Sequence, residues 1–410
     1  MNPQFDVIVF GATSFVGQIL VQYLTDNFNQ PNKETLNWAI AGRSQTKLDK
    51  VKTQVKQPDL TTIIADAQDE AAIKTMCAQA RVIISTVGPY ALFGETLVKV
   101  CAESGTDYCD LTGEVQWIDR MLKKYEATAK ASGARIVHSS GFDSIPSDMG
   151  VYFTQREAKK SLGEYCNNVS MRVKAAKGGA SGGTIASIVN VTKEVMKDPK
   201  LRKDLINPYL ICPPGHGYKV RQFDTKKPTF DKNFNGWTAP FIMAGINTRI
   251  VFRSNALMNS AYGTDFKYDE AMLVGKGIKG RLAATALVAG LGAFFVGAAI
   301  RPSRWVLERF MLPKPGEGPT PKEQLEGYYD IRFKGKTPSG KEIQTKVMGQ
   351  GDPGYGSTSQ MLGQVGVCLA LDKELLTDKE GGFWTTSTLL GDRLLERLEK
   401  DAQLKFEVLS

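Results

Sequence analysis

Residues 11–17, Gly11-Ala12-Thr13-Ser14-Phe15-Val16-Gly17, follow an apolar run (5–10, Phe-Asp-Val-Ile-Val-Phe) and precede a stretch with apolar residues at helical spacing (18–24). Strand, tight glycine turn and helix form the context in which a glycine pattern cradles a dinucleotide pyrophosphate. Gly11 permits the turn and Gly17 lets the helix approach the sheet. Backbone N–H groups from Ala12 to Val16 would then face phosphate at a helix N-terminus. The pattern departs from G-x-G-x-x-G and carries Ser14 at its centre, where a hydroxyl can reach phosphate. A second strand, 38–41, ends in Gly42-Arg43-Ser44. A carboxylate there would hold the ribose 2′-hydroxyl of NAD; Arg43 and Ser44 instead suit a 2′-phosphate, so NADP(H) is the expected cofactor. Lys47 can join that phosphate pocket or stay in solvent.

A hydride-donating cofactor leaves the protein to supply placement and a proton. Tyr90, Asp110 and Glu114 are the candidate catalytic residues, because each stands near the carboxyl end of a strand; Tyr90 packing over the Pro89 turn, and either acid capping a helix, are the other readings. Thr86-Val87-Gly88-Pro89, just before Tyr90, shape a turn that can run beside the nicotinamide. Asp143, followed by Ser144 after the strand 135–138, is a candidate for substrate binding, although helix capping explains it equally. A second glycine-rich stretch, 178–184, ends in Ser181-Gly182-Gly183-Thr184 and opens a helix over 185–196. Its N–H groups offer an anion site for a carboxylate or thioester carbonyl; a simply capped turn is the other reading. The chain has two histidines, His138 within an apolar strand and His216 between glycines, and no CxxC pair among six cysteines. No metal site is expected, and the cysteines read as reduced thiols.

These residues need a scaffold. Strands at 62–65 and 82–86 continue the alternation around a helix at 70–79, and strands at 107–111 and 135–138 follow. Four βα steps in the first hundred residues predict an α/β fold, a Rossmann-type doubly wound parallel sheet over 1–148. A second, α+β domain is predicted over 149–350. It holds an alternating strand (169–176), a loop rich in Pro, Gly and Lys (207–237) and a hairpin (328–334 and 343–349). Helices at 354–371 and 385–398, within 351–410, should return to the first domain. The polar opening leads directly into a strand, so no leader is expected.

Fifty-two Lys and Arg against 43 Asp and Glu leave a net charge of +9. Residues 275–314 hold seven of the cations and one acid, Glu308. They bracket 282–300, nineteen residues without charge that reach about 28 Å as a helix. Seven alanines and three glycines among them leave eight stronger apolar residues. Those eight supply only about −2 to −5 kcal/mol of insertion drive. A membrane-surface or re-entrant anchor, a buried or dimer-interface helix, and a true span all remain open. Ala289, Ala293 and Gly297 form a small-residue row for close helix contact. Trp305 and Phe310 are available as interfacial aromatics. No aromatic–basic reader motif is present, so nucleic acid is not an expected partner.

Several motifs together resemble the saccharopine dehydrogenase-like oxidoreductases. They are Thr86-Val-Gly-Pro-Tyr90 with Phe93-Gly94, 101–114 (Cys-Ala-Glu-Ser-Gly-Thr-Asp-Tyr-Cys-Asp-Leu-Thr-Gly-Glu) and Gly141-Phe-Asp-Ser-Ile-Pro-Ser-Asp148. Pro313-Lys-Pro-Gly-Glu-Gly-Pro319 and Thr385-Thr-Ser-Thr-Leu-Leu-Gly391 extend the likeness to the subgroup of trans-acting enoyl reductases and saccharopine dehydrogenase-like proteins. The resemblance implies an NADP-type oxidoreductase tied to lipid metabolism. Reduction of a C=C bond in a lipid-linked acyl substrate is the first expectation. Action on a C=N or C–N bond and non-catalytic NADP binding at a membrane surface are the alternatives. The expected setting is cytoplasmic, with membrane association through 282–300, and a homodimer stays open.

Overall fold

The computed structural model describes residues 3–178, 182–300, 302 and 318–409. Strands β1 (Phe5–Phe10), β2 (Trp38–Gly42), β3 (Thr61–Ile64), β4 (Ala80–Ser85), β5 (Asp107–Asp110) and β6 (Arg135–Val137) lie parallel in the order β6-β5-β4-β1-β2-β3. Parallel strands are covered on both faces and so read as unbroken apolar runs. In β1, Val7 and Val9 enter one core and Ile8 and Phe10 the other. Helices Phe15–Asn27 and Gly356–Leu371 cover the first face, and Glu70–Cys77, Glu95–Ser104 and Val115–Ser132 cover the second. The strand order reverses between β1 and β4, which opens a crevice at their carboxyl ends.

The second sheet is mixed. It contains β7 (Asn168–Lys177), β8 (Thr229–Asp231), β9 (Gly236–Pro240), β10 (Lys267–Gly275), β11 (Tyr328–Lys336) and β12 (Glu342–Gln350). β7 and β10 pair in parallel, and the β11–β12 hairpin pairs antiparallel to β7. Two strands lie inside or at the edge of the stretch predicted as a loop over 207–237. The 282–300 segment is part of a longer helix, Gly277–Ala299.

The end of the chain differs from the expected simple return. After Gly356–Leu371 packs on the first sheet, β13 (Gly382–Trp384) adds to it beside β6. Yet β14 (Leu404–Leu409) joins the second sheet beside β12. Residues 351–410 therefore belong to both layers. Helix Ile145–Leu162 likewise runs straight through the expected boundary at 148.

Asp148 fixes this junction. Its buried carboxylate accepts from Ser254 Oγ (2.5 Å), Thr386 Oγ1 (2.9 Å), Ser387 N (2.8 Å) and Ser387 Oγ (2.9 Å). Three helices, Ile145–Leu162, Ala244–Leu257 and Thr386–Asp401, are thus tied at one point. Burial pushes this carboxyl up and the four donors pull it back. Removing the acceptor would leave those donors buried without partners. Asp148→Ala is expected to lower the unfolding free energy by roughly 3 kcal/mol. A urea titration showing a loss below about 1 kcal/mol would contradict the tie.

Candidate active site

A cavity of about 870 Å³ occupies the crevice over β1 and β4. Its cofactor end is built from the glycine turn. Gly11 has φ +89°, and a Cβ there would sit 2.7 Å from both Thr86 Oγ1 and Val87 Cγ2. A Cβ on Gly17 would meet the Gly11 carbonyl oxygen at 2.2 Å, so the helix can start this close only with glycine. The Ser14 hydroxyl is used internally. It accepts from Gly17 N at 2.9 Å as the N-cap and lies 3.0 Å from Thr86 Oγ1, which in turn donates to Gly11 O at 2.9 Å. This ties the turn to β4 instead of offering the hydroxyl to phosphate. Ala12 N and Ser14 N are also taken, by Ala41 O and Gly11 O. Thr13, Phe15 and Val16 keep backbone amides without a partner among the described residues. Three amides instead of five, at a helix start cleared by two glycines, fit a pyrophosphate.

Arg43 and Lys47 are exposed on the rim of the same cavity, where a 2′-phosphate would lie. Ser44 is not in the lining; it stands at the start of helix Gln45–Gln54. Thr86, Val87, Gly88 and Pro89 line the next stretch. Asp66, Ala67 and Gln68, after β3, complete the cofactor end. The short strand β3 gave no sequence cue that its following turn would fold over this space.

The three candidate catalytic residues all hydrogen-bond within the protein. Tyr90 lines the wall, but its hydroxyl donates to Ser85 O (3.0 Å) and accepts from Leu111 N (3.1 Å). Burial drives that phenol well above its ordinary value. Asp110 is fully buried and accepts from Tyr108 Oη (2.9 Å), Thr112 N (3.0 Å) and Ser139 N (3.1 Å), with His138 Nδ1 at 2.7 Å. Glu114 is buried too. It accepts from Tyr90 N (2.8 Å), Ala91 N (3.2 Å) and Ser187 Oγ (2.9 Å). All three side chains are committed to holding the wall of the cavity.

Asp143 differs from them. It lines the cavity on the loop between β6 and helix Ile145–Leu162, and no hydrogen-bond donor reaches its carboxylate among the described residues. Its Oδ2 lies 3.8 Å from where a Cβ on Gly113 would stand. Burial alone pushes its carboxyl up to about 7. The substrate end beyond it is largely apolar, walled by Ile188, Val191, Leu205, Met243, Ile246 and Phe295. Arg249 gives that end one buried cation. Its guanidinium donates to Gly245 O (2.7 Å) and Leu205 O (2.6 Å) and has no carboxylate within ion-pair distance among the described residues. Residues 182–184 are absorbed into the first turn of helix Gly182–Lys197, whose Ala186, Ser187 and Ile188 face the cavity instead. Ser181 lies outside the described residues. The sequence reading missed Arg249, on a helix buried all round, and Gly354 and Tyr355, which close the cofactor end from the far end of the chain. Tyr355 packs edge-on to Phe15 with ring centroids 4.7 Å apart.

Glycine turn, switch-point cavity and basic rim together define an NADP-dependent oxidoreductase. Residues 7–137 match the saccharopine dehydrogenase NADP binding domain. A trans-acting enoyl reductase of Mycobacterium bovis is 35% identical over 414 residues, covering 97% of each chain. A Mycobacterium tuberculosis relative, which bears the same name provisionally, is 38% identical over 406 residues, 96% of this chain and 95% of its own. Saccharopine dehydrogenase (L-Glu forming) of Saccharomyces cerevisiae shares the fold, with a TM-score of 0.50 at 14% identity over 98% of this chain and 99% of that one. The chain belongs to the saccharopine dehydrogenase-like family, in the branch of the trans-acting enoyl reductases.

Reversing the charge at the rim tests the phosphate pocket. Arg43→Asp should weaken NADPH by about tenfold to a hundredfold while NADH changes little. Fluorescence titration of both cofactors reads this, and equal losses would contradict the 2′-phosphate assignment.

Proposed function

We propose that this oxidoreductase reduces the C=C bond of an α,β-unsaturated acyl substrate, and that Asp143 donates the proton. The observation that carries the proposal is the Asp143 carboxyl, unbonded at the junction between the cofactor end and the apolar end of one cavity. The names of the relatives, trans-acting enoyl reductase, point to the same reaction class.

The amides of Thr13, Phe15 and Val16, with Arg43 and Lys47, would hold the phosphates of NADPH, which when bound would supply a hydride to the β-carbon and leave an enolate. Asp143 then gives its proton to the α-carbon and is re-protonated from water. Arg249 sets a positive potential at the substrate end that favours the developing negative charge. The apolar walls hold the acyl chain and exclude water.

A carboxyl acting as an acid must be protonated. Since Asp143 is raised to about 7, kcat/KM should hold below pH 7 and fall about tenfold per unit above it. The stability sign agrees. The folded carboxyl keeps its proton while the unfolded one has lost it, so folding weakens as pH rises from about 4 to about 7. Asp143→Asn should cut the rate about a hundredfold, abolish that alkaline limb and leave NADPH affinity intact. An unchanged pH profile in the variant would contradict the assignment.

Substrate class is tested by NADPH oxidation with a short unsaturated acyl thioester against an amino acid plus a keto acid. Consumption with the thioester is expected. Consumption only with the amino acid and keto acid would favour C=N chemistry, and none with either would favour a binding protein.

A further inference from the structure

Among the described residues, helix Gly277–Ala299 leaves four large apolar side chains exposed, Ile278, Leu282, Phe295 and Val296. Its 23 residues reach about 34 Å, yet only 11% of its apolar stretch is buried. Leu282 is 64% exposed and Val296 60%, with Ile278 and Ile300 also open. An exposed apolar surface of this kind marks a binding face.

Buried and half-buried positions run the length of one side, from Gly280 and Ala284 through Leu287, Val288, Leu291 and Phe294 to Ala298. Gly280 and Ala284 are buried near its start, where a Cβ on Gly280 would meet Gly275 O at 2.5 Å and Trp237 Cδ1 at 3.2 Å. Ala298 is buried near its end. Contacts with β9, β10 and helix Gly182–Lys197 lay this helix along the body of the protein. The charges at its start have one sign. Lys276, Lys279 and Arg281 are all exposed at its start, with Arg281 placed over the Trp237 ring at 5.6 Å. No acidic residue lies between 271 and 307.

Phe295 joins this surface to the active site. It is partly exposed on the apolar helix and also lines the cavity, opposite Ile188 and Val191 of helix Gly182–Lys197. Apolar exterior and apolar interior therefore meet at the mouth of the site.

We propose that helix Gly277–Ala299 docks in the headgroup region of an anionic lipid bilayer, and that an acyl chain passes from the bilayer into the cavity beside Phe295. Lys276, Lys279 and Arg281 bind lipid phosphates, while the apolar side chains enter the acyl boundary. The docking stands on the helix itself; the route for the acyl chain rests on the function proposed above.

Flotation of the full-length chain with vesicles of phosphatidylcholine, alone or mixed with phosphatidylglycerol, tests the docking. Binding to the mixed vesicles that weakens with salt is expected. Lys276→Glu/Lys279→Glu/Arg281→Glu should weaken it about a hundredfold. Leu282→Glu/Val296→Glu should abolish binding to both vesicle types. Each variant should bind NADPH like the wild type, which shows that it has folded. Absence of wild-type binding to either vesicle overturns the proposal. So does a wild-type dimer in sedimentation that ignores vesicles and is split by Leu282→Glu/Val296→Glu, because a second copy would then cover the helix. The route is read separately. A long-chain unsaturated acyl substrate held in mixed vesicles should turn over more slowly in the docking variants, while a short soluble thioester is reduced at the wild-type rate. If the short thioester is not reduced at all, the proposed reaction fails and the vesicle result still stands.

Discussion

Glu114 bonds to two pieces of the cavity wall at once. Its two oxygens cap the short helix Tyr90–Phe93 through the Tyr90 and Ala91 amides, and one of them also accepts from Ser187 of helix Gly182–Lys197. A buried carboxylate costs several kcal/mol unless donors surround it, and here two backbone amides and a hydroxyl do so. Holding the end of β4 at one fixed distance from a helix of the second unit keeps the nicotinamide turn and the apolar wall in register. The Tyr90 hydroxyl, bonded to Ser85 O and Leu111 N, locks the same turn to β5. In the reaction proposed above, the chemistry falls to a group that these bonds do not consume, the Asp143 carboxyl.

The two sheets are joined by more than their shared cavity. Asp148 gathers three helices, Arg253 donates to Phe383 O within β13, and the last strand crosses to the second sheet. A cavity built between units keeps its shape only if the units cannot slide. This interlocking of the chain's end with both layers supplies that rigidity, and it places Gly354 and Tyr355 over the phosphate turn.

The parallel sheet was legible because period and punctuation agree in it. Apolar runs such as Val7-Ile-Val9 followed by Gly11 admit few other folds. The cofactor end was legible for the same reason, as chain-local motifs carry it. The substrate end was not. Arg249 sits on a helix buried on every side, with no apolar periodicity to mark a wet face. Tyr90, Asp110 and Glu114 stood at strand ends where catalytic groups are common, but strand ends also need buried hydrogen bonds. Sequence position does not tell which partner a carboxylate finds, and three acids that look alike in sequence differ only in their donors. β13 and β14 are short, and their partners are more than fifty residues away, beyond any local pattern.

Tracing the hydride and the proton tests the central claim most directly. With NADPH deuterated at the reactive C4 position and an unsaturated acyl thioester in ordinary water, the product should carry one deuterium on the β-carbon and a solvent-derived hydrogen on the α-carbon. In heavy water with unlabelled NADPH the pattern should invert, and Asp143→Asn should slow arrival of the α-hydrogen. Deuterium appearing instead on a carbon bonded to nitrogen, in a reaction with an amino acid and a keto acid, would contradict the account.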